Sequence, residues 1–195
     1  MPVVCREALF LRREALFLIA GAVALPARAA PLQSGVTASA FSFTRPEGGS
    51  LALAEHAGKP ILVVNTATAC GYAPQFSGLQ QLWTRFGSRG LTVIAVPSPD
   101  FGRQEPLDGL AIAEAARKSH GVTFPVVDKT SVTGPQAHPF YRWAAAEKPA
   151  ETPRWNFHKY LVGRDGHLAA AFATPVEPTD PRVIAAIVKE LDAAG

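Results

Sequence analysis

Cysteine is scarce in this sequence, with two among 195 residues, Cys5 and Cys70. The segment Cys70-Gly71-Tyr72-Ala73 has alanine where a Cys-x-x-Cys redox pair needs its second thiol, which argues against dithiol–disulfide exchange. The chain also lacks a His-Glu-x-x-His segment and a glycine-rich phosphate loop, and the spacing of His120, His138 and His158 predicts no zinc site. The sequence therefore predicts an activity without a metal, nucleotide or flavin cofactor.

Long apolar runs are missing, and the longest near the N-terminus covers residues 15–25, behind Arg12 and Arg13. This run is short for a membrane-spanning helix, and Ala27-Arg28-Ala29 after it has the small-x-small form of a secretory cleavage site. We therefore predict that residues 1–29 are a cleavable signal peptide and that the protein is exported, to the periplasm or the medium. An uncleaved N-terminal anchor is the alternative that the sequence leaves open.

An excess of charge of one sign is also missing once the predicted leader is removed. Residues 1–29 contain four arginines and two glutamates, so 15 basic and 14 acidic residues remain. This balance predicts neither nucleic acid binding nor stable membrane association after cleavage. We predict a flexible segment at 30–39 and a single domain at 40–195, in which Cys70 is the only cysteine.

Hydrophobic patterning predicts a strand, a helix and a second strand in succession. Residues 61–64 and 91–96 are short apolar runs rich in β-branched side chains, and residues 76–86 have helical apolar spacing. Such a unit makes the two strands parallel. Further predicted elements are a hairpin at 41–53, a helix from Asp108 to Ser119, an edge strand at 122–127, a helix at 139–147, an antiparallel hairpin at 157–172 and a helix at 181–191. The fold class is α/β, with a central mixed sheet flanked by helices on both faces.

Cys70 lies between the first strand of this unit and its helix. Near a helix N-terminus, unpaired N–H groups and the helix dipole favour thiolate over thiol, which predicts a nucleophile. The alternative is a buried structural cysteine, which is common for this residue type. Gly71, Tyr72 and Pro74 are typical of a loop, and we therefore expect Cys70 to be exposed.

Five sequence blocks resemble the glutathione peroxidase family, in that family's order and with spacing close to it, between residues 40 and 191. They are Asn65-Thr66-Ala67-Thr68-Ala69-Cys70-Gly71-Tyr72, Phe101-Gly102-Arg103-Gln104-Glu105-Pro106, Gly121-Val122-Thr123-Phe124-Pro125, Ala137-His138-Pro139 and Trp155-Asn156-Phe157-His158-Lys159-Tyr160-Leu161-Val162. The resemblance implies a thioredoxin-like fold and a thiol peroxidase whose catalytic residues are Cys70, Gln104, Trp155 and Asn156.

The residue types of this implied set suit peroxide reduction. The amides of Gln104 and Asn156 and the indole of Trp155 are neutral donors that favour a negative sulfur. They can also stabilise a departing hydroxide or alkoxide, at about 3 kcal/mol per good donor. Cys70 would become a sulfenic acid and release water or an alcohol. The alternative is that Trp155 is a core aromatic, Asn156 a turn residue and Gln104 a solvated loop residue.

The chain departs from the family at several positions. Asp100 and Leu107 alter the loop around Gln104, a change that can shift the Gln104 amide and its hydrogen bond. Ser98 and Ala116 stand where relatives that use thioredoxin carry a resolving cysteine. We therefore expect a one-cysteine enzyme whose sulfenic acid is reduced by an external thiol such as glutathione.

The candidates for binding the carboxylates of that thiol are Arg103, Arg154 and Lys159, with solvated surface charge as the alternative. We expect a monomer that acts on hydrogen peroxide and organic hydroperoxides. The competing hypothesis is an exported peroxide sensor, or a noncatalytic protein of the same fold, in which Cys70 is oxidised without turnover.

Overall fold

The computed structural model describes residue 1 and residues 35–193. The predicted signal peptide, apart from its first residue, and residues 30–34 of the predicted flexible segment lie outside the described residues. Residues 35–193 lie within one compact unit, Gln33–Gly195. Near its start, Ala38–Ala40 forms a 3-10 turn in which Ala38 is buried and donates its N–H to the Gly166 carbonyl at 2.8 Å.

Six strands and four α-helices make up the described part of the chain. In chain order they are β1 (Ser42–Thr44), β2 (Ser50–Ala52), β3 (Ile61–Thr66), α1 (Gln75–Phe86), β4 (Thr92–Pro97), α2 (Leu110–His120), α3 (Pro139–Glu147), β5 (Lys159–Val162), β6 (Leu168–Phe172) and α4 (Pro181–Asp192). Strands β1 and β2 form a separate antiparallel hairpin. The main sheet has the order β4-β3-β5-β6.

The main sheet is mixed and covered on both faces, as predicted. Strands β3 and β4 are parallel, as the strand–helix–strand pattern requires, whereas β5 runs antiparallel to β3 and β6. Successive side chains of β3 point to opposite faces, and all six of its residues are buried. Leu62 and Val64 pack with α1 and α4, and Ile61 and Val63 pack with α3 and the β1–β2 hairpin.

Three local predictions need correction. Residues 122–127 form no strand, only a parallel bridge between Ala95 and Val126 beside the edge strand β4, since Pro125 has no N–H to donate. Helix α2 begins at Leu110 after Gly109, and the Asp108 carboxylate pairs with Lys129 at 2.5 Å instead of capping the helix. Strand β5 begins two residues later than expected.

Candidate active site

Cys70 lies in the loop between β3 and α1. Residues 71–74 form a turn before α1 begins at Gln75, so Cys70 lies before the first turn of this helix. The helix dipole acts most strongly at that first turn. Its sulfur accepts a hydrogen bond from the Tyr72 N–H at 3.4 Å, so a local turn supplies the expected donor. The expected exposure of Cys70 is wrong: it is 6% exposed, since it packs in the core cluster with Ala67 and Ala73.

The loop before Cys70 is held by the segment that carries Gln104. The carboxylate of Glu105 accepts hydrogen bonds from the Thr68 N–H at 2.9 Å and the Thr68 hydroxyl at 2.8 Å. The Ala69 N–H donates to the Gln104 carbonyl at 3.0 Å. Glu105 is 3% exposed, and its role was not predicted from the sequence, although it lies within a resembling block. Three hydrogen bonds thus fix the backbone of Gln104 beside the cysteine loop.

Gln104 and Asn156 meet directly, although 52 residues separate them. The Asn156 Nδ2 donates to Gln104 Oε1 at 3.1 Å. Asn156 is fully buried and its carbonyl accepts from the Thr174 hydroxyl at 2.8 Å, so its backbone is fixed as well. The Gln104 Nε2 donates to no described residue and is free for another acceptor. The structure therefore shows neither amide as a merely solvated loop group.

The altered loop around Gln104 is stabilised on its far side by Asp100. The Asp100 carboxylate accepts from the N–H groups of Val132 at 2.6 Å and Thr133 at 2.9 Å. It also accepts from the Ser131 hydroxyl at 3.0 Å. These contacts turn Asp100 toward residues 131–133, and the Gln104–Asn156 hydrogen bond forms despite the substitution.

Trp155 lies next to Gln104 at the surface. A Cβ built on Gly102 would lie 3.6 Å from Trp155 Cη2 and 3.5 Å from Gln104 Cγ, so both side chains pack against this glycine. The indole is 39% exposed and lies 5.9 Å from the Phe101 ring between centroids, which excludes a core aromatic. Its N–H has no acceptor within residues 35–193. The backbone of Trp155 is tied to β3, since its carbonyl accepts from Asn65 Nδ2 at 3.0 Å.

Backbone strain is concentrated beside these residues. In the described part of the chain, the non-glycine residues with positive φ are Arg103, at 53°, and Phe157, at 64°. Arg103 precedes Gln104, and Phe157 follows Asn156. Left-handed backbone at such residues costs about 1–3 kcal/mol and tends to cluster at functional sites. The strain at Phe157 also explains why β5 starts late.

The structure thus brings three of the four predicted site residues together and ties them to the fourth. Gln104, Trp155 and Asn156 form one contiguous group, and the Gln104 backbone is bonded to the residue before Cys70. Within the described residues, no hydrogen bond joins the Cys70 sulfur to any of the three side chains. The group therefore offers uncommitted amide and indole N–H donors, and it is connected to the cysteine loop through the hydrogen bond from the Ala69 N–H to the Gln104 carbonyl.

A groove of about 560 Å³ opens beside Trp155 and Tyr72. It is lined by Tyr72, Ala150, Glu151, Thr152, Arg154, Trp155, His158, Ala171, Ala173, Thr174 and Pro175. Arg154 makes no hydrogen bond or ion pair with the residues that the structure describes, and it is exposed. Burial lowers the pKa of His158 to about 4, so its imidazole is neutral at pH 7. The groove combines small apolar side chains with one free positive charge.

Lys159 does not reach this groove. It is fully buried in β5 and donates to the Phe157 carbonyl at 2.7 Å. The interpretation of Lys159 as a clamp for the carboxylates of a thiol is therefore wrong, because neither a carboxylate nor water has access to it. All four residues of β5 are buried, because Leu161 packs in the cluster with α1 and α4, whereas Tyr160 and Val162 pack in the cluster with α3 on the other face of the sheet.

Comparison with known proteins agrees with this geometry. The family model for glutathione peroxidase matches residues 39–145. The hydroperoxy fatty acid reductase gpx1 of Synechocystis sp. (strain ATCC 27184 / PCC 6803 / Kazusa) is 39% identical over 82% of this chain and 98% of its own length.

The chain belongs to the glutathione peroxidase family. A glutathione peroxidase of Lactococcus lactis subsp. cremoris (strain MG1363) is 35% identical over 72% of this chain and 91% of its own length. The chain is accordingly a peroxidase, and its family uses a hydroperoxide substrate and a thiol co-substrate. No group of three or more His, Cys, Asp or Glu side chains within residues 35–193 could hold a metal ion.

Solved structures share the fold of this chain. The apo form of Trgpx superposes with a TM-score of 0.67 and 29% identity, over 82% of this chain and 99% of that one. The thioredoxin-like superfamily protein SPOA0173 gives a TM-score of 0.56 at 18% identity, over 82% of this chain and 99% of that one. The predicted thioredoxin-like fold is therefore confirmed.

Proposed function

We propose that this glutathione peroxidase homologue reduces hydroperoxides at Cys70. The Cys70 thiolate attacks the terminal peroxide oxygen, and the O–O bond breaks. Sulfur is oxidised by two electrons to a sulfenic acid, and the departing oxygen takes up a proton to leave as water or an alcohol. Cys70 is thus the nucleophile of the reaction.

Gln104, Trp155 and Asn156 are proposed to stabilise the charge that moves from sulfur to the departing oxygen. The observation that supports this most strongly is the Asn156 Nδ2 to Gln104 Oε1 hydrogen bond. This bond occupies the carbonyl end of the Gln104 amide and leaves its NH₂ end free to donate. The Trp155 indole N–H is likewise uncommitted, so both donors can respond when a negative sulfur or oxygen forms.

An external thiol is proposed to close the cycle. The first thiol displaces water from the sulfenic acid and gives a mixed disulfide, and a second thiol releases Cys70 and a disulfide product. At the two positions where relatives carry a resolving cysteine, Ser98 and Ala116 are both buried and neither bears a thiol. We propose glutathione as the thiol, with Arg154, which is exposed and lines the groove, as its carboxylate partner.

Organic hydroperoxides are proposed as substrates beside hydrogen peroxide. The Synechocystis relative is named a hydroperoxy fatty acid reductase. The groove beside Trp155 has room for a carbon chain, and its alanine and proline lining suits an apolar one.

A peroxide sensor is the second candidate, and the burial of Cys70 favours it. A sulfur that is 6% exposed is reached more easily by a small peroxide than by a bulky thiol. In that case Cys70 would be oxidised once, and the sulfenic acid would persist until a specific partner reduced it.

We further propose that the protein is exported as a monomer after cleavage behind residue 29. The support is the sequence of residues 1–29, with its arginine pair, short apolar run and small-x-small motif. Within residues 35–193, no helix is long and apolar enough to cross a membrane. N-terminal sequencing of protein from fractionated cells and its mass in solution test this proposal.

Steady-state peroxide consumption by residues 30–195 separates the two candidates. Glutathione and thioredoxin are supplied in separate assays, beside the Cys70→Ser variant. Turnover with either thiol that is lost in Cys70→Ser supports the peroxidase and identifies its reductant. Consumption of one peroxide per chain, followed by arrest with both thiols, supports the sensor.

A further inference from the structure

Lys159 is a buried, positively charged residue that has no role in the proposed reaction. It is fully buried in β5, opposite Val64 of β3. Within residues 35–193 it forms no ion pair, and Nζ donates to the Phe157 carbonyl at 2.7 Å. The Glu177 carboxylate attracts this ammonium group from beyond ion-pair distance. Burying a lysine without a carboxylate in direct contact is unfavourable, so its single hydrogen bond needs an explanation.

The contact holds a strained residue. Phe157 has a φ of 64°, in the left-handed region that a residue with a side chain rarely adopts. Its N–H donates to the Asn65 carbonyl at 2.6 Å, and its carbonyl accepts from Lys159, so both of its backbone polar groups are fixed. Such a conformation persists only when its surroundings enforce it.

The conformation of Phe157 sets the position of Asn156. The two residues share a peptide bond, and the chain enters β5 two residues after Phe157. The Asn156 carbonyl is held by the Thr174 hydroxyl, whereas its amide reaches Gln104 Oε1 at 3.1 Å. A relaxed backbone at Phe157 would turn the Asn156 side chain away from Gln104.

We propose that Lys159 is a positioning residue of the peroxidase site. By binding the Phe157 carbonyl, it holds the turn that keeps the Asn156 amide against Gln104. Lys159 acts through Asn156 and touches neither peroxide nor thiol, since it has no exposed surface. The inference rests on the proposed function for its kinetic readout, whereas its structural readout is independent of activity.

The kinetic test is the single-turnover rate constant for oxidation of Cys70 by a hydroperoxide. Lys159→Met removes the donor and preserves the length of the side chain, and we expect the rate constant to fall about tenfold. Lys159→Gln keeps an N–H donor and should recover part of that loss. Lys118→Met, an exposed lysine of α2, is the matched control and should react like the wild type.

A double-mutant cycle separates positioning from a general structural role. In an Asn156→Ala background, Lys159→Met should change the rate constant less than about twofold, because the residue through which it acts has been removed. The same tenfold loss in both backgrounds would overturn the proposal, as would a wild-type rate in Lys159→Met.

A spectroscopic readout keeps the inference distinct from the peroxidase proposal. The side-chain amide of Asn156, assigned by NMR, should give a resonance in the wild type that moves toward that of a solvated amide in Lys159→Met. An unchanged resonance overturns the positioning role even in an active enzyme. If wild-type Cys70 fails to react with peroxide while the resonance moves, the proposed function is wrong and the positioning inference stands.

Discussion

Replacing Glu105 by alanine tests how the cysteine loop is held. The Glu105 carboxylate is nearly inaccessible and binds both the N–H and the hydroxyl of Thr68, two residues before Cys70. Hydrogen bonds to a charged group contribute about 1.5–3 kcal/mol each, and because Thr68 is partly exposed we take the lower value for both. Glu105→Ala should therefore lower the free energy of unfolding by about 3 kcal/mol.

For a domain of this size, that loss corresponds to a fall in Tm of roughly 6–12 °C. The rate constant for Cys70 oxidation should fall about tenfold, since the loop is no longer fixed against Gln104. Guanidinium unfolding and single-turnover kinetics measure the two effects.

Glu105→Gln retains one acceptor oxygen and should lose about half of the stability that Glu105→Ala loses. Glu114→Ala, an exposed glutamate of α2, is the matched control and should stay within about 0.5 kcal/mol of the wild type. A Glu105→Ala protein with wild-type stability and rate would refute the assignment of Glu105 as the residue that holds the loop.

Three further predictions concern charges near the site. Burial lowers the pKa of Lys159 to about 8, below its value in the unfolded chain. Between these two pH values the unfolded chain binds more protons than the folded chain, so stability rises with pH. The stability difference between wild type and Lys159→Met should therefore shift by about 2 kcal/mol in favour of the wild type between pH 8 and pH 10; a constant difference contradicts this. Burial lowers the pKa of His158 to about 4, so the stability that depends on its neutral imidazole is complete above pH 6.5 and is lost as the pH falls toward 4. The free energy of unfolding of His158→Gln should therefore decline less steeply with falling pH than that of the wild type. An identical decline in the two proteins would contradict this expectation. Arg154→Ala should raise the KM for glutathione severalfold with kcat unchanged, whereas Arg117→Ala on α2 should alter neither; equal KM values for all three proteins would exclude Arg154 as the carboxylate partner.

The fold could be predicted because its main signals are local. The apolar runs of β3 and β4, with the helical spacing of α1 between them, determine the parallel unit without reference to distant residues. The pairing of the edge segment at 122–127 could not be predicted. Pro125 has no N–H for a backbone hydrogen bond, and the position of β4 determines which of the remaining groups pair.

The sequence proposes the residue types of the candidate site but gives no signal for the contacts between them. Gln104 and Asn156 were identified by resemblance, and their mutual hydrogen bond is a tertiary contact with no local signal. Glu105 reaches back 37 residues to Thr68, which no pattern in either segment indicates. The burial of Lys159 could not be predicted, because the side chains that cover the two faces of β5 come from helices distant in the sequence.

Mass spectrometry of Cys70 after one equivalent of hydroperoxide tests the central claim most directly. The protein is mixed with peroxide in the absence of thiol, a sulfenic acid-specific probe is added, and the labelled peptide is identified. The account predicts one probe adduct on Cys70, absent when glutathione is added before the probe, and slower labelling in the Gln104→Ala and Asn156→Ala variants. Peroxide consumed while Cys70 stays a thiol would contradict it.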